Sequence, residues 1–285
     1  MQDCESSSII IVKFIIDIIS DIKLKIIFKK VTLMSFSDCI IIIPARIGSS
    51  RLPGKPLLKI NGVSMIVHAY NCAKSAFLGG PIIVATDDHL IAKEITDNGG
   101  LAIMTSDKHV SGSDRIFEAL EKYDPEKKYK KIIHLQGDLP NISGNLIQSL
   151  AKAIDDKKKD IVTVVVKASP DEYNDPSIVK VAIAFGKENP SINDLGKAIY
   201  FSRACIPSGN TDIWHHIGIY AWQRKVLNKF VNLPASPLEK SERLEQLRAI
   251  EIGMNIHTIV TSEHPIGVDT ESDLKKVKKY FEDIS

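Results

Sequence analysis

Cys39-Ile40-Ile41-Ile42-Ile43-Pro44-Ala45-Arg46-Ile47-Gly48-Ser49-Ser50-Arg51-Leu52-Pro53-Gly54-Lys55-Pro56 is the stretch that decides the fold. Its first five residues form a short, unbroken, β-branched apolar run that stops at a proline. Such a run has no polar face to give to water, so it reads as a strand buried on both sides. The Gly/Ser/Pro-rich residues from 45 to 62 read as a loop, and Ser64 is placed to cap a helix reaching about Phe77. Working outward, the same alternation recurs: strands over 81–85, 101–104 and 131–135, and helices over 89–97, 114–122 and 143–154. Units of this length predict an α/β protein with a mostly parallel sheet flanked by helices. After Asp160 the rhythm changes. Strands over 161–167, 178–184 and 216–222 have longer connections, and a helix over 238–252, a strand over 256–260 and a helix over 271–281 close the chain. The irregular part is expected to form a mixed β segment.

The chain has 285 residues, with 37 Lys plus Arg against 35 Asp plus Glu and a formal net charge of +2. That balance excludes a protein that coats nucleic acid, so any basic site has to be local. Cys4, Cys39, Cys72 and Cys205 include no Cys-x-x-Cys pair, which argues against a zinc cluster or disulfide framework and points to a reducing cytoplasm. Residues 1–33 differ from the rest, with ten Ile and no Arg. Lys13, Asp17, Asp21, Lys23 and Lys25 interrupt their apolar character, so no membrane span is expected. Asp3 and Glu5 do not suit a signal peptide. These residues are expected to be an N-terminal extension outside a domain over 34–285, and removing them should leave melting temperature and activity unchanged.

In an open α/β sheet, ligands bind beyond the carboxyl ends of the strands. The loop after the first strand carries Arg46, Arg51 and Lys55 with no acidic residue among them, a combination suited to a polyphosphate. It is not a Walker A loop: five residues separate Gly48 from Gly54, and Pro56 stands where Ser or Thr would bind magnesium. Gln136-Gly137-Asp138 follows the 131–135 strand and offers a carboxylate to a hard cation. In Gly267-Val268-Asp269-Thr270, either Asp269 or Thr270 could cap the last helix. If Asp269 is free, it makes a second carboxylate beside Asp138.

The 44–56 string resembles the nucleotide-binding signature of the CMP-acid-sugar synthetases, and more closely that of the 3-deoxy-manno-octulosonate cytidylyltransferase (CMP-Kdo synthetase) family. The resemblance continues in order through Val84-Ala85-Thr86-Asp87, His109-Val110-Ser111-Gly112-Ser113-Asp114-Arg115, Gln136-Gly137-Asp138 and Val179-Lys180-Val181. It runs on through Tyr200–Arg203, His216–Tyr220, Ser236–Glu239, Leu244–Arg248 and Gly267–Thr270. It implies a Rossmann-like fold of the nucleotide-diphospho-sugar transferase type, dimerising through the mixed β segment. The implied reaction is attack of the anomeric hydroxyl of Kdo on the α-phosphorus of CTP, yielding CMP-Kdo for lipopolysaccharide synthesis.

By the same resemblance Arg46, Arg51 and Lys55 hold the phosphates, and Asp138 and Asp269 hold Mg²⁺. Pro44, Ala45, Ser111, Gly112 and Gln136 join the nucleotide site. Gln136 lies between the substrates, and Arg203, His216, Tyr220, Glu245 and Gln246 line the sugar site. CTP, Kdo and a second copy of the chain are the implied partners, with no nucleic acid and no membrane. Read alone, His216 could be an inward-facing core histidine, and Glu245 and Gln246 ordinary fillers of a helix. Leu139 stands where the family commonly has Glu, which leaves open a non-catalytic nucleotide-binding homologue. His215 and Ala221-Trp222 depart from the family at the sugar site, and the same chemistry on another acid sugar, such as 8-amino-Kdo or a sialic acid, is the nearer alternative.

Overall fold

The computed structural model describes residues 36–48, 51–209 and 211–283. The segment 1–33 lies outside the described residues. Strand β1 (Cys39–Ala45) is buried along its length, as its composition requires. Ile41 and Ile43 pack on one side against helices α1 (Met65–Ser75) and α4 (Gly144–Ala153). Ile40 and Ile42 pack on the other against α3 (Gly112–Tyr123). Burying each of these isoleucines is worth roughly 1.5–3 kcal/mol.

Strands β4 (Ile82–Thr86), β5 (Leu101–Met104) and β6 (Lys131–His134) run parallel with β1 in the order β5-β4-β1-β6. Helix α2 (His89–Asp97) leads from β4 to β5, and the Asp88 carboxylate caps it by accepting from the Leu90 and Ile91 N–H groups. Ser143 caps α4 in the same way. Ser64 occupies the position before α1 but makes no capping bond, contrary to expectation. It belongs to a short hairpin, β2 (Lys59–Ile60) with β3 (Val63–Ser64), which turns its hydroxyl into the interior without a partner.

The sheet continues through β10 (Trp214–Gln223), β7 (Ile161–Lys167), β11 (Ile256–Thr261), β9 (Leu195–Ser202) and β8 (Lys180–Ala184). Here the expectation of a mostly parallel sheet needs correction. β7 and β11 are parallel, but β10 is antiparallel to both β6 and β7, and β9 to both β11 and β8. β8 also touches β10 at His215↔Lys180, so the sheet folds back on itself at this end. The sequence reading does not contain β9, whose Gly196 and Lys197 weaken its apolar signal, nor α5 (Arg224–Val231), which follows β10 directly.

The helix expected over 238–252 is two helices. α6 (Pro237–Glu242) opens with a Ser236/Glu239 capping box and ends where Arg243 turns left-handed at φ 56°. α7 (Gln246–Glu251) follows, and α8 (Glu271–Asp283) ends the described chain. No helix among the described residues is long and apolar enough to cross a membrane.

Candidate active site

The parallel strands end together, and a cavity of about 300 Å³ opens beyond them. All ten residues predicted for phosphate, nucleotide and metal line it: Pro44, Ala45, Arg46, Arg51, Lys55, Ser111, Gly112, Gln136, Asp138 and Asp269. The loop after β1 is fastened from below. Leu52 is buried in a small apolar cluster with Met65, Val268 and Leu274, which docks the loop on the segment that carries Asp269. Gly54 is left-handed at φ 66°, where a side chain would be strained, and starts the tight turn that presents Lys55.

Lys55 lies between the two carboxylates. Its Nζ is 2.7 Å from Asp138 Oδ2 and 3.0 Å from Asp269 Oδ1. Burial disfavours its ammonium, but the two carboxylates outweigh that and raise its pKa. Arg51 reaches Asp269 at 3.0 Å. Burial disfavours the Asp269 carboxylate, yet Lys55 and Arg51 hold its pKa below the usual range. A backbone bond from Val268 N–H to the Asp138 carbonyl, 3.0 Å, brings the two acidic segments together. The choice left open at the last helix resolves in favour of Thr270: its hydroxyl accepts from the Asp273 N–H, and Asp273 accepts back from the Thr270 N–H. Asp269 is thereby released to the cavity.

The opposite wall is the start of α3. Ser111 caps it by accepting from Asp114 N–H at 3.1 Å. Arg115, 3% exposed, spans from Thr105 Oγ1 (2.8 Å) to Asp87 (2.7 Å), and Asp87 also accepts from the Ile47 N–H. Asp87 and Arg115 thus tie this wall to the loop after β1. The loop before α3 is held by His109 and the Ser106 N–H on Glu118. Burial works against the Glu118 carboxylate, but Lys122, Ser106 and His109 bring its pKa down to about 2.

Of the predicted sugar residues Gln136 lines this cavity, while Arg203, His216, Tyr220, Glu245 and Gln246 stand apart from its lining. His216 is 7% exposed, with its Nε2 2.9 Å from Thr163 Oγ1 and its ring edge-on to Phe201. Burial, then His215, lowers its pKa to about 3, so it is neutral. Between Ile217 and Tyr220 strand β10 bulges by two residues, which keeps Tyr220 on the same face as His216, their rings 5.5 Å apart. The bulge carbonyls are held by side chains. Thr163 Oγ1 donates to Ile219 O at 2.7 Å, and Gln136 Nε2 donates to Gly218 O at 3.0 Å.

Arg203 donates to the carbonyls of Glu242 (3.1 Å) and Pro176 (2.8 Å). The reading of Glu245 and Gln246 as mid-helix residues fails: Glu245 immediately precedes α7, in the break after Arg243. From there its carboxylate faces Ser111 and Ser113 across the cleft, one oxygen is buried without a partner, and burial raises its pKa. Gln246 is buried. Leu139 turns into the main core.

Lys180 and His134 carry structure that sequence reasoning missed. The Lys180 ammonium is fully buried and donates to the carbonyls of Asp175, Ile178 and Arg203 at 2.7–2.9 Å. His134 sits inside an apolar strand, where only its polarity marks it out.

Among the described residues no group of three or more His, Cys, Asp or Glu is placed to hold a metal ion. Asp138 and Asp269 nonetheless converge on one point, the one where the Lys55 ammonium now lies. Two carboxylate oxygens completed by phosphate oxygens and water are what a small hard cation takes.

A cytidylyltransferase family profile matches residues 40–256. The 3-deoxy-manno-octulosonate cytidylyltransferase of Nitrobacter hamburgensis is 45% identical over 247 residues, covering 86% of this chain and 93% of that protein. The protein of the same description from Bartonella henselae is 47% identical over 241 residues, covering 84% and 97%. Among solved structures, a CMP:2-keto-3-deoxy-manno-octonic acid synthetase complexed with CTP superposes with a TM-score of 0.79. It is 38% identical and covers 87% of this chain and 99% of its own. A putative glucose-1-phosphate thymidylyltransferase from Bacillus anthracis, 18% identical with a TM-score of 0.60 over 87% of this chain and 96% of its own, shares the fold alone.

Proposed function

Because the chain belongs to the cytidylyltransferase family, we propose that it transfers CMP from CTP to the anomeric hydroxyl of 3-deoxy-D-manno-octulosonate, releasing pyrophosphate and supplying CMP-Kdo for lipopolysaccharide synthesis. The observation that carries this reading is the convergence of Arg51, Lys55, Asp138 and Asp269 on one cavity. The hydroxyl oxygen bonds to the α-phosphorus, the bond from that phosphorus to the departing phosphate breaks, pyrophosphate takes the electron pair, and the hydroxyl proton passes to water. Arg46, Arg51 and Lys55 neutralise the triphosphate, which a carboxylate-bearing sugar has to approach. Pro44, Ala45, Ser111 and Gly112 wall the nucleotide.

Asp138 and Asp269 would hold Mg²⁺, which supplies charge neutralisation and orientation at the phosphates. Arg203, His216, Tyr220, Glu245 and Gln246 form the sugar side, with Gln136 between the two substrates. Homodimerisation through the mixed β segment is part of the same proposal. In its support, Ile192, Leu195 and Ile199 of this segment are exposed, and a groove of about 500 Å³ there is lined by Phe185, Pro207 and Trp214.

The test is pyrophosphate release with CTP, Kdo and Mg²⁺, with UTP and ATP as controls. Release requiring all three components together is expected. No release from folded, CTP-bound protein would overturn the Kdo assignment, and release with another acid sugar in its place would redirect it.

A further inference from the structure

The Gln136 amide nitrogen meets two partners, and the second is a residue with no place in the reaction above. Its Nε2 lies 3.0 Å from the Gly218 carbonyl oxygen. Only the nitrogen end of a carboxamide can face a carbonyl oxygen at that distance, so chemistry fixes which way the group points. The same Nε2 lies 3.4 Å from His134 Nε2. Bonds of this kind are long in a substrate-free site and tighten when the substrate binds.

His134 is 1% exposed, and burial lowers its pKa to about 4, so the imidazole is neutral and carries one N–H. For Nε2 to accept from Gln136, that hydrogen has to sit on Nδ1. Nδ1 is the His134 atom buried without a partner. An ordinary core histidine has its polar atoms satisfied. This one leaves Nδ1 unmatched and turns Nε2 toward Gln136.

The position of His134 explains what this arrangement is for. It ends β6, paired with Ile42 on one side and with Tyr220 on the other. Gly112 passes so close that a Cβ there would lie 3.1 Å from His134 Nε2. The Tyr220 ring is centred 5.9 Å away. The imidazole therefore stands where the nucleotide wall meets the sugar wall.

We propose that His134 is a positioning residue: its neutral imidazole and the Gly218 carbonyl take the two Gln136 N–H groups, leaving the Gln136 carbonyl oxygen to accept a hydrogen bond from the attacking sugar hydroxyl. The inference rests on the nucleotidyl-transfer reading and deepens it. An amide oxygen is no base. It orients the hydroxyl so that a lone pair faces the α-phosphorus, while the proton still leaves to water.

Two measurements on the full chain test this. Long-range ¹H–¹⁵N correlation spectra of the ¹⁵N-histidine-labelled protein should show His134 as the Nδ1–H tautomer, and an Nε2–H tautomer overturns the proposal. In kinetics, His134→Phe should lower kcat at least tenfold while KM for CTP stays within twofold. His134→Gln, whose side-chain oxygen replaces the lost acceptor, should return kcat to within threefold of the parent. Unchanged kcat in His134→Phe, or equal losses in both variants, overturns it. If the parent chain releases no pyrophosphate, the reading of function fails while the tautomer still decides the placement of the proton. If His134→Phe does not fold, the tautomer again decides.

Discussion

Lys55 reaches across 83 residues to Asp138 and 214 to Asp269, so three side chains remote in sequence act at one point. Asp138→Ala should lower kcat by about a hundredfold or more, on the scale of removing one electrostatic stabiliser, or ~3 kcal/mol. Pyrophosphate release under saturating substrates reads this directly, and near-normal turnover would remove Asp138 from the machinery. Thr163 is a residue of a different kind, since its buried hydroxyl supports the β10 bulge and accepts from neutral His216. Thr163→Val leaves those partners unsatisfied and should cost about 1–3 kcal/mol, measured by urea unfolding. At this scale the sequence was informative wherever a side chain follows a strand. It assigned no role to His134 or Lys180, because a polar residue inside an apolar run gives no sign of which atoms it will meet.

Arg224 shows how elements are locked together. It opens α5 and meets Asp124, which ends α3, and Glu121 one turn earlier, with both Arg224 and Asp124 buried. Arg224→Met leaves the buried Asp124 carboxylate with backbone donors from Lys128 and Tyr129 but no countercharge, and should cost about 3 kcal/mol, again by urea unfolding. The loop before α3 supplies a pH signature. Glu118, held near 2 in the folded protein, has a pKa of about 4.3 in the unfolded chain. A depressed carboxylate contributes its full stability above the unfolded value and loses it as pH falls through the folded one. The unfolding midpoint should therefore decline from about pH 4.3 down toward pH 2, and Glu118→Gln should flatten that decline. The parallel elements were legible because each is a short apolar run with a periodic helix after it. The break at Arg243 was not, because nothing in local composition foretells a left-handed residue between two helical stretches, and Glu245 owes its reach across the cleft to that break.

For the molecule as a whole, the sequence identified the half whose order is local and most strands of the other half, but missed β9, α5 and the break at Arg243. β9 pairs with β8, the strand just before it, and with β11, which comes far after it (Leu195↔Ile259), so its place in the sheet depends on a distant strand. The exposed residues of that half bear on assembly. Ile199→Asp should convert a dimer to monomers in sedimentation equilibrium while leaving pyrophosphate release per folded chain measurable. A parent chain that sediments as a monomer would remove the dimer from the proposal.

The row Arg51, Asp269, Lys55, Asp138 alternates in sign and is internally neutral. A triphosphate entering the cavity gains Arg51 and Lys55 only by drawing them from carboxylates that they already neutralise. Each cation withdrawn leaves an uncompensated anion behind. If the site works as proposed, nucleotide entry and uptake of a metal cation are thermodynamically linked, and each ligand raises the affinity for the other by the same factor. The resting protein holds its own counterions in reserve, and occupancy of the site is an exchange of partners rather than an accumulation of charge.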